Sequence, residues 1–282
     1  MNKTIFNILK ELQQVNISLN KADVYHILEH ILNKNYQWIV SNLDYVLTKK
    51  QLYKLEQISK LLEKKYPLTY ILKNKYFYSN NFFINKDVLI PRNESELIID
   101  YVSEFIKNNN DLLIVDLCTG SGCLGISCAL LNKQNKVILT DISYKALKVA
   151  NKNIKRFNLT NTICLSGDFI SVLIKNNIKA NVIISNPPYI DINDQNLDKN
   201  VIEYEPSIAL FAPNKGLYFY EILIKNIDQI VDVNKKFLIV LEFGWLQKDS
   251  IEQLLIKNCL KYNWEFKKDY NNYWRNLIIK NF

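Results

Sequence analysis

Apolar residues recur at helical spacing through the first 65 residues. Ile5, Ile8, Leu9 and Leu12 share one face, as do Val24, Ile27, Leu28, Ile31 and Leu32, and then Leu52, Leu55, Ile58, Leu61 and Leu62. Thr48 followed by Gln51 predicts a capping box at the start of the last of these helices. Pro67 closes the helical segment. Over 70–90 the pattern changes. Tyr76, Phe77 and Tyr78 face Phe82, Phe83 and Ile84 across Asn80-Asn81, which predicts a hairpin turning at that dipeptide. Asn93 and Glu96 are expected to cap a helix running to about Lys107. From residue 111, apolar runs alternate with helical stretches. The runs are Leu112 to Leu117, Val137 to Thr140, Thr162 to Leu165, Val182 to Ile184 and Phe237 to Leu241; helices are expected over 122–132, 143–156 and 216–231. This alternation predicts a parallel sheet covered on both faces. Trp264 to Phe266 and Leu277 to Ile279 leave room for two more strands, as a hairpin at the sheet edge. The expected organisation is a helical domain at 1–66, a hairpin linker at 67–92 and an α/β domain at 93–282.

Composition narrows the class. Hydrophobic residues make up 48% and charged residues 23% of the 282, which excludes wholesale disorder and a collagen-like chain. No apolar run reaches the roughly 18 residues of a membrane span. The N-terminal segment lacks the apolar core and cleavage site of a secretory signal, so the expected compartment is the cytoplasm. The net charge of +8 can steer a protein toward nucleic acid. Abundant Lys, Asn and Ile with scarce Gly fit AT-rich codon usage better than a dedicated basic surface. Five cysteines read as reduced thiols, with no CxxC pair among Cys118, Cys123, Cys128, Cys164 and Cys259. His26 and His30 stand four apart without a third ligand in sight, so no metal site is expected.

The candidate chemistry lies at the carboxyl ends of the expected strands, where such sheets bind ligands. The first strand leads into Asp116-Leu117-Cys118-Thr119-Gly120-Ser121-Gly122-Cys123-Leu124-Gly125, and three of the chain's six glycines form GxGxxG. Asp141, 21 residues past Gly120, is placed to accept hydrogen bonds from ribose hydroxyls. Dinucleotide and S-adenosylmethionine sites look alike at this level. Asp116 separates them: a carboxylate beside the turn repels a pyrophosphate and favours an ammonium and a sulfonium. Asp168 and Phe169 follow the third strand, as acceptor and packing surface for an adenine. Asn186-Pro187-Pro188-Tyr189 follows the fourth. Methyl transfer to a planar NH2 group requires both N–H bonds to be held so that the nitrogen lone pair aims at the methyl carbon. The Asn186 side-chain oxygen takes one, the Pro187 carbonyl takes the other, and Tyr189 stacks on the flat group. No strong base is needed.

These motifs resemble those of class I, S-adenosylmethionine-dependent amino-methyltransferases. The flanks narrow the resemblance. Pro67-Leu68-Thr69-Tyr70-Ile71-Leu72, Val88-Leu89-Ile90-Pro91-Arg92-Asn93-Glu94-Ser95-Glu96, Tyr204-Glu205-Pro206 with Ala209-Leu210-Phe211, and Gly216-Leu217 are similar to the peptide chain release factor glutamine methyltransferase family (PrmC/HemK). The resemblance implies a Rossmann-like, mostly parallel sheet with a small N-terminal helical bundle for substrate recognition and a connecting β-hairpin. It implies S-adenosylmethionine as methyl donor, the Gly-Gly-Gln glutamine of class 1 release factors as acceptor, and neither a membrane nor a stable nucleic-acid partner. Thr119, Gly120, Ser121, Gly122, Cys123, Asp141, Phe169 and Asn186 match its cofactor positions; Asn186, Pro187, Pro188 and Tyr189 match its glutamine-binding motif. Pro91, Arg92 and Glu94 are expected near the cofactor. Phe169 stands where the family usually has Trp, and Asn93 and Ser95 where it usually has Pro and Thr. The rival reading is a DNA or RNA amino-methyltransferase, which the charge favours and the lack of a base-reading insertion opposes. A non-catalytic RNA binder would not need the intact Asn-Pro-Pro-Tyr motif.

Overall fold

The computed structural model describes residues 3–15, 19–194, 197–258 and 260–282. The chain divides into two units, residues 1–74 and 75–282. In the first, helices α1 (Ile5–Val15), α2 (Lys21–Leu32), α3 (Tyr36–Ser41), α4 (Lys49–Glu63) and α5 (Leu68–Leu72) bury the apolar stripes in one core. Side-chain caps set where α2, α3 and α4 begin. Thr48 and Gln51 form the predicted box: the Gln51 N–H donates to Thr48 Oγ1 at 3.3 Å and the Thr48 N–H to Gln51 Oε1 at 2.8 Å. Asn20 and Asp23 do the same for α2.

The hairpin β1 (Asn74–Phe77) and β2 (Asn80–Phe83) turns at Tyr78-Ser79, two residues before the dipeptide expected from sequence. Both turn residues are left-handed, with φ of 45° and 62°, the twist that a two-residue hairpin loop needs. The Tyr78 N–H donates to Glu96 Oε1 at 2.9 Å, and the Asn80 amide to the Tyr78 carbonyl at 2.8 Å. Glu96 is thus committed to the hairpin, and Asn93 lies in a 3₁₀ turn. Helix α6 (Glu96–Lys107) therefore starts without the expected Asn93 cap, though it ends where the sequence predicts. Phe77 and Phe82 are fully buried in the core of the second unit. The stretch expected as a linker is accordingly divided, with 67–74 in the helical unit and 75–92 in the sheet unit.

The rest of the second unit runs β3 (Leu113–Leu117), α7 (Cys123–Leu131), β4 (Lys136–Asp141), α8 (Tyr144–Arg156), β5 (Thr162–Ser166), α9 (Ser171–Lys175), β6 (Val182–Ser185), α10 (Lys199–Tyr204), α11 (Tyr218–Ile230), β7 (Leu238–Glu242), α12 (Lys248–Lys257), β8 (Asn263–Lys268) and β9 (Trp274–Lys280). The sheet order is β5-β4-β3-β6-β7-β9-β8, parallel from β5 to β7 and antiparallel at β9 and β8. The final hairpin lies at the sheet edge as expected. Strand side chains alternate between two cores. Ile114, Leu139, Ile184 and Val240 face α6, α7 and α8; Val115, Ile138, Ile183 and Ile239 face α9, α11 and α12. Sequence order reverses direction at β3, so the crevice for a ligand opens beyond the carboxyl ends of β3 and β6. Among the described residues no helix is long and apolar enough to cross a membrane. Cys118, Cys123, Cys128 and Cys164 are free thiols, and Cys259 lies outside the described residues.

One buried amide ties this crevice to the hairpin. Asn153 of α8 is fully buried; it accepts from the Phe83 N–H at 2.7 Å and donates to the carbonyls of Phe83 at 2.9 Å and Ser121 at 2.8 Å. Asn153→Ala orphans these backbone groups, and leaving a buried group unsatisfied costs about 1–3 kcal/mol. The expected outcome is a loss of about 2 kcal/mol or more in urea unfolding of the sheet unit. An unchanged midpoint would show that water replaces the amide without cost.

Candidate active site

The turn after β3 is held from beneath by Asp116. Its side chain is fully buried; Oδ2 accepts from the Thr119 hydroxyl at 2.6 Å and the Gly125 N–H at 2.9 Å, and Oδ1 has no partner among the described residues. Burial outweighs these bonds and pushes its pKa up to about 7. The sequence-based expectation that Asp116 faces a ligand's positive charge is corrected here. The carboxylate lies behind the turn, absent from the cavity wall, because the even alternation of β3 sends it under α7 with Ile114. Gly125 must be glycine for the same reason: a Cβ there would sit 2.2 Å from Leu139 and 2.9 Å from the Asp116 Cβ. Gly120, at φ +54°, is different, since a Cβ would meet nothing within 4 Å. Its backbone faces open space.

That space is a cavity whose wall includes Gly120, Asp141, Asp168, Phe169, Asn186 and Pro188. Asp141 closes β4, and its two oxygens accept the N–H groups of Gly120 at 2.9 Å and Ser143 at 2.8 Å. Each oxygen retains acceptor capacity, and burial shifts its pKa upward. Phe169 is 5% exposed and packs edge-on against Phe219, which also lines the cavity. Thr119, Ser121, Gly122 and Cys123 are not on the cavity wall. Thr119, Ser121 and Cys123 are buried, and the four residues build the turn and the start of α7. The structure thus brings together four of the eight expected cofactor positions at the cavity and sets the other four behind it. The group set suits an adenosyl ligand with a positive centre: carboxylates, aromatic rings and an unobstructed glycine backbone.

Beyond β6, Asn186 lies on the wall of this cavity and of a second one, which Arg92, Pro187, Tyr189 and Leu210 also line. Pro188 faces the first, so the motif straddles the two. The Asn186 amide donates from Nδ2 to Ser95 Oγ at 3.0 Å, and the Ser95 hydroxyl donates to Glu242 Oε2 at 2.6 Å. The Tyr189 hydroxyl donates to the other oxygen of Glu242 at 3.3 Å. Glu242 ends β7 and is 1% exposed; burial shifts its pKa upward against the Ser95 hydroxyl and the nearby Arg275 guanidinium, while burial and the Glu242 charge shift that of Tyr189 upward. The Tyr189 carbonyl accepts from Gln247 Nε2 at 2.8 Å. Gly216, at φ +82°, passes so close that a Cβ would fall 2.0 Å from this carbonyl. Glu205 is buried and accepts from the Ile90 N–H at 2.9 Å and from Arg92, which anchors the Ile90-Pro91-Arg92 loop beside the second cavity. Glu94 lies in a different depression, with Lys75 and Tyr270.

Ser95, Glu242, Glu205 and Gln247 escaped the sequence reading as individual site residues. Glu242 carried a signal: like Asp116 and Asp141, it is a carboxylate at the end of an apolar strand.

Residues 95–204 match the methyltransferase small domain and residues 7–72 the PrmC N-terminal domain. The chain is 83% identical over 282 residues, all of both chains, to the release factor glutamine methyltransferase of Mycoplasma mycoides subsp. mycoides SC. It is 33% identical over 87% of its length to the bifunctional methyltransferase of Rickettsia bellii, of which it spans 49%. A methyltransferase structure from Pyrococcus furiosus superposes with a TM-score of 0.50 at 18% identity, covering 81% of this chain and 98% of that one, and shares the fold.

Asp116 makes stability pH-dependent. Its folded pKa of about 7 exceeds the ordinary 3.8, so its contribution is complete below the ordinary value and is lost as pH rises through the folded one. Asp116→Asn cannot ionise. Relative to the native protein, the variant is expected to gain stability between about pH 5 and about pH 8 in urea titrations. An equal difference at both pH values contradicts the buried-acid account.

Proposed function

Because the chain belongs to the release factor glutamine methyltransferase family, we infer that it transfers a methyl group from S-adenosylmethionine to the side-chain amide nitrogen of the glutamine in the Gly-Gly-Gln loop of class 1 peptide chain release factors. The observation that carries this reading is Asn186 on the wall common to two cavities, in a chain with a full-length relative of that activity. In this reading the first cavity takes the cofactor and the second the glutamine. The chemistry that S-adenosylmethionine supplies when bound is an electrophilic methyl carbon: the amide nitrogen forms the N–C bond, sulfur keeps the pair of the broken C–S bond, and one N–H proton passes to water.

The protein's own contribution is orientation. Asn186 Oδ1 accepts one N–H of the glutamine amide and the Pro187 carbonyl accepts the other, while Pro188 stiffens the backbone between the cavities. Tyr189, tethered by its hydroxyl and its carbonyl, presents a ring to the flat amide. Gly120, Asp141 and Phe169 hold the cofactor on the turn that Thr119, Ser121, Gly122 and Cys123 form. Asp141 takes ribose hydroxyls through its remaining lone pairs. The helical unit at the N-terminus contributes recognition of the protein substrate. Release factors work in the cytoplasm, and the reaction belongs there; no stable complex with nucleic acid enters this reading.

Incubation with labelled S-adenosylmethionine and either a release factor or bare nucleic acid tests the function. Label is expected on the factor, at the glutamine; label on nucleic acid alone would overturn it. Asp141→Ala removes acceptors from the cofactor cavity and from the Gly120 N–H. A lost bond to a charged group costs about 1.5–3 kcal/mol, so calorimetry should show cofactor Kd rising about tenfold or more, and an unchanged Kd removes Asp141 from the site. Asn186→Ala loses the acceptor oxygen and is expected to slow single-turnover methylation on the order of a hundredfold, with Asn186→Asp slowed less. An Ala variant as fast as the native enzyme rules out the orientation mechanism.

A further inference from the structure

We propose that Ser95 and Glu242 are positioning residues that fix which end of the Asn186 amide faces the acceptor, with Glu242 acting through the Ser95 hydroxyl. The proposal rests on the acceptor-binding role of Asn186 given above. An amide side chain has nearly the same shape whichever way it is turned, yet only its oxygen can accept an N–H. Something must choose between the two orientations, and the Asn186 side chain has one hydrogen-bond partner among the described residues, Ser95 Oγ at 3.0 Å.

The choice follows from counting protons. A serine hydroxyl has one proton and two lone pairs, and an ionised carboxylate only accepts. Ser95 Oγ lies 2.6 Å from Glu242 Oε2, within the range of a hydroxyl bound to a carboxylate. The single Ser95 proton is thus committed to Glu242. Its oxygen can then only accept, and the group that donates to it must be the Asn186 NH2. Turning the amide over would set Oδ1 against Ser95 Oγ with no proton between them. Water cannot easily repair that contact, since Ser95 is 3% and Glu242 1% exposed. Burial shifts the Glu242 pKa upward, and the Ser95 hydroxyl and Arg275, itself held by Asp269 and the Phe243 carbonyl, oppose that shift. The same carboxylate accepts the Tyr189 hydroxyl on its other oxygen, so both polar ends of the Asn-Pro-Pro-Tyr motif are referred to one buried charge. Ser95 immediately precedes α6, and Glu242 is the last residue of β7.

Neutron diffraction from the deuterated protein reads the orientation without any reaction. The Ser95 deuteron is expected on the line to Glu242, and the Asn186 deuterons toward Ser95; a Ser95 deuteron aimed at Asn186 overturns the proposal. Kinetics read its consequence. Ser95→Ala is expected to lower kcat between about tenfold and a hundredfold, with KM for S-adenosylmethionine changed less than about twofold. Ser95→Thr keeps the hydroxyl and restores most of the loss. In an Asn186→Ala background, Ser95→Ala should cost nothing further. Additive losses would mean that Ser95 acts independently of Asn186. Glu242→Gln lets the relay run either way, so native kcat in that variant also contradicts the mechanism. A native protein that methylates no release factor would sink the function, while the deuteron positions still decide the relay.

Discussion

Burying a carboxylate is costly unless its lone pairs are satisfied, and this site is built around that constraint. Asp116, Asp141 and Glu242 each stand at or next to the end of an apolar strand, and each fixes nearby groups, Asp116 through Oδ2 and the other two through both oxygens. Asp116 holds Thr119 and Gly125, Asp141 holds Gly120 and Ser143, and Glu242 holds Ser95 and Tyr189. Strand alternation aims them alike. Ile114 and Asp116, Leu139 and Asp141, Val240 and Glu242 are each two apart, so the acids continue the apolar rows that face α6, α7 and α8. The core pattern and the site pattern are the same period-two pattern, with polarity changing at the last residue.

Glycine is scarce in this chain, and its placement is correspondingly informative. Gly125 stands where the Leu139 and Asp116 side chains leave no room for a Cβ, Gly216 where the Tyr189 backbone leaves none, and Gly120 where open space lies in front of the turn. Gly122 is left-handed too, and thirteen further left-handed positions among the described residues carry side chains. Cys118 and Phe169, with φ of 56° and 40°, both line the first cavity. Left-handed conformations in residues with a Cβ cost about 1–2 kcal/mol each. Such strain gathers where surrounding structure over-determines the backbone, as it does at ligand sites.

Much of this was legible in the sequence because it depends on local pattern. Helical spacing located the N-terminal bundle and residue type the Thr48–Gln51 cap, and apolar runs located the five parallel strands to within one residue at each end. The glycine turn, Asp141 and Asn186 announced themselves by position after strands. What escaped was set by distant partners. The hairpin turns at Tyr78-Ser79 because Glu96 accepts the Tyr78 N–H, a pairing that no local rule contains. Asp116 looked like a ligand contact in one dimension, and only the packing of α7 over β3 reveals it as a support. Ser95 and Glu242 are 147 residues apart, and neither is conspicuous without the other.

The three bonds of Asn153 have a consequence for how the molecule loosens. Proteins open locally in cooperative units that often coincide with supersecondary motifs. Here a strand of the hairpin, helix α8 and the carbonyl of Ser121 meet at one side chain. Peeling the hairpin away breaks two of the bonds that hold Asn153 in place, and relaxing the turn breaks the third. Substitutions in β1 and β2, remote from the cavity in sequence, therefore reach it through a common opening equilibrium. Any ligand that grips the turn lends its binding energy to the hairpin as well.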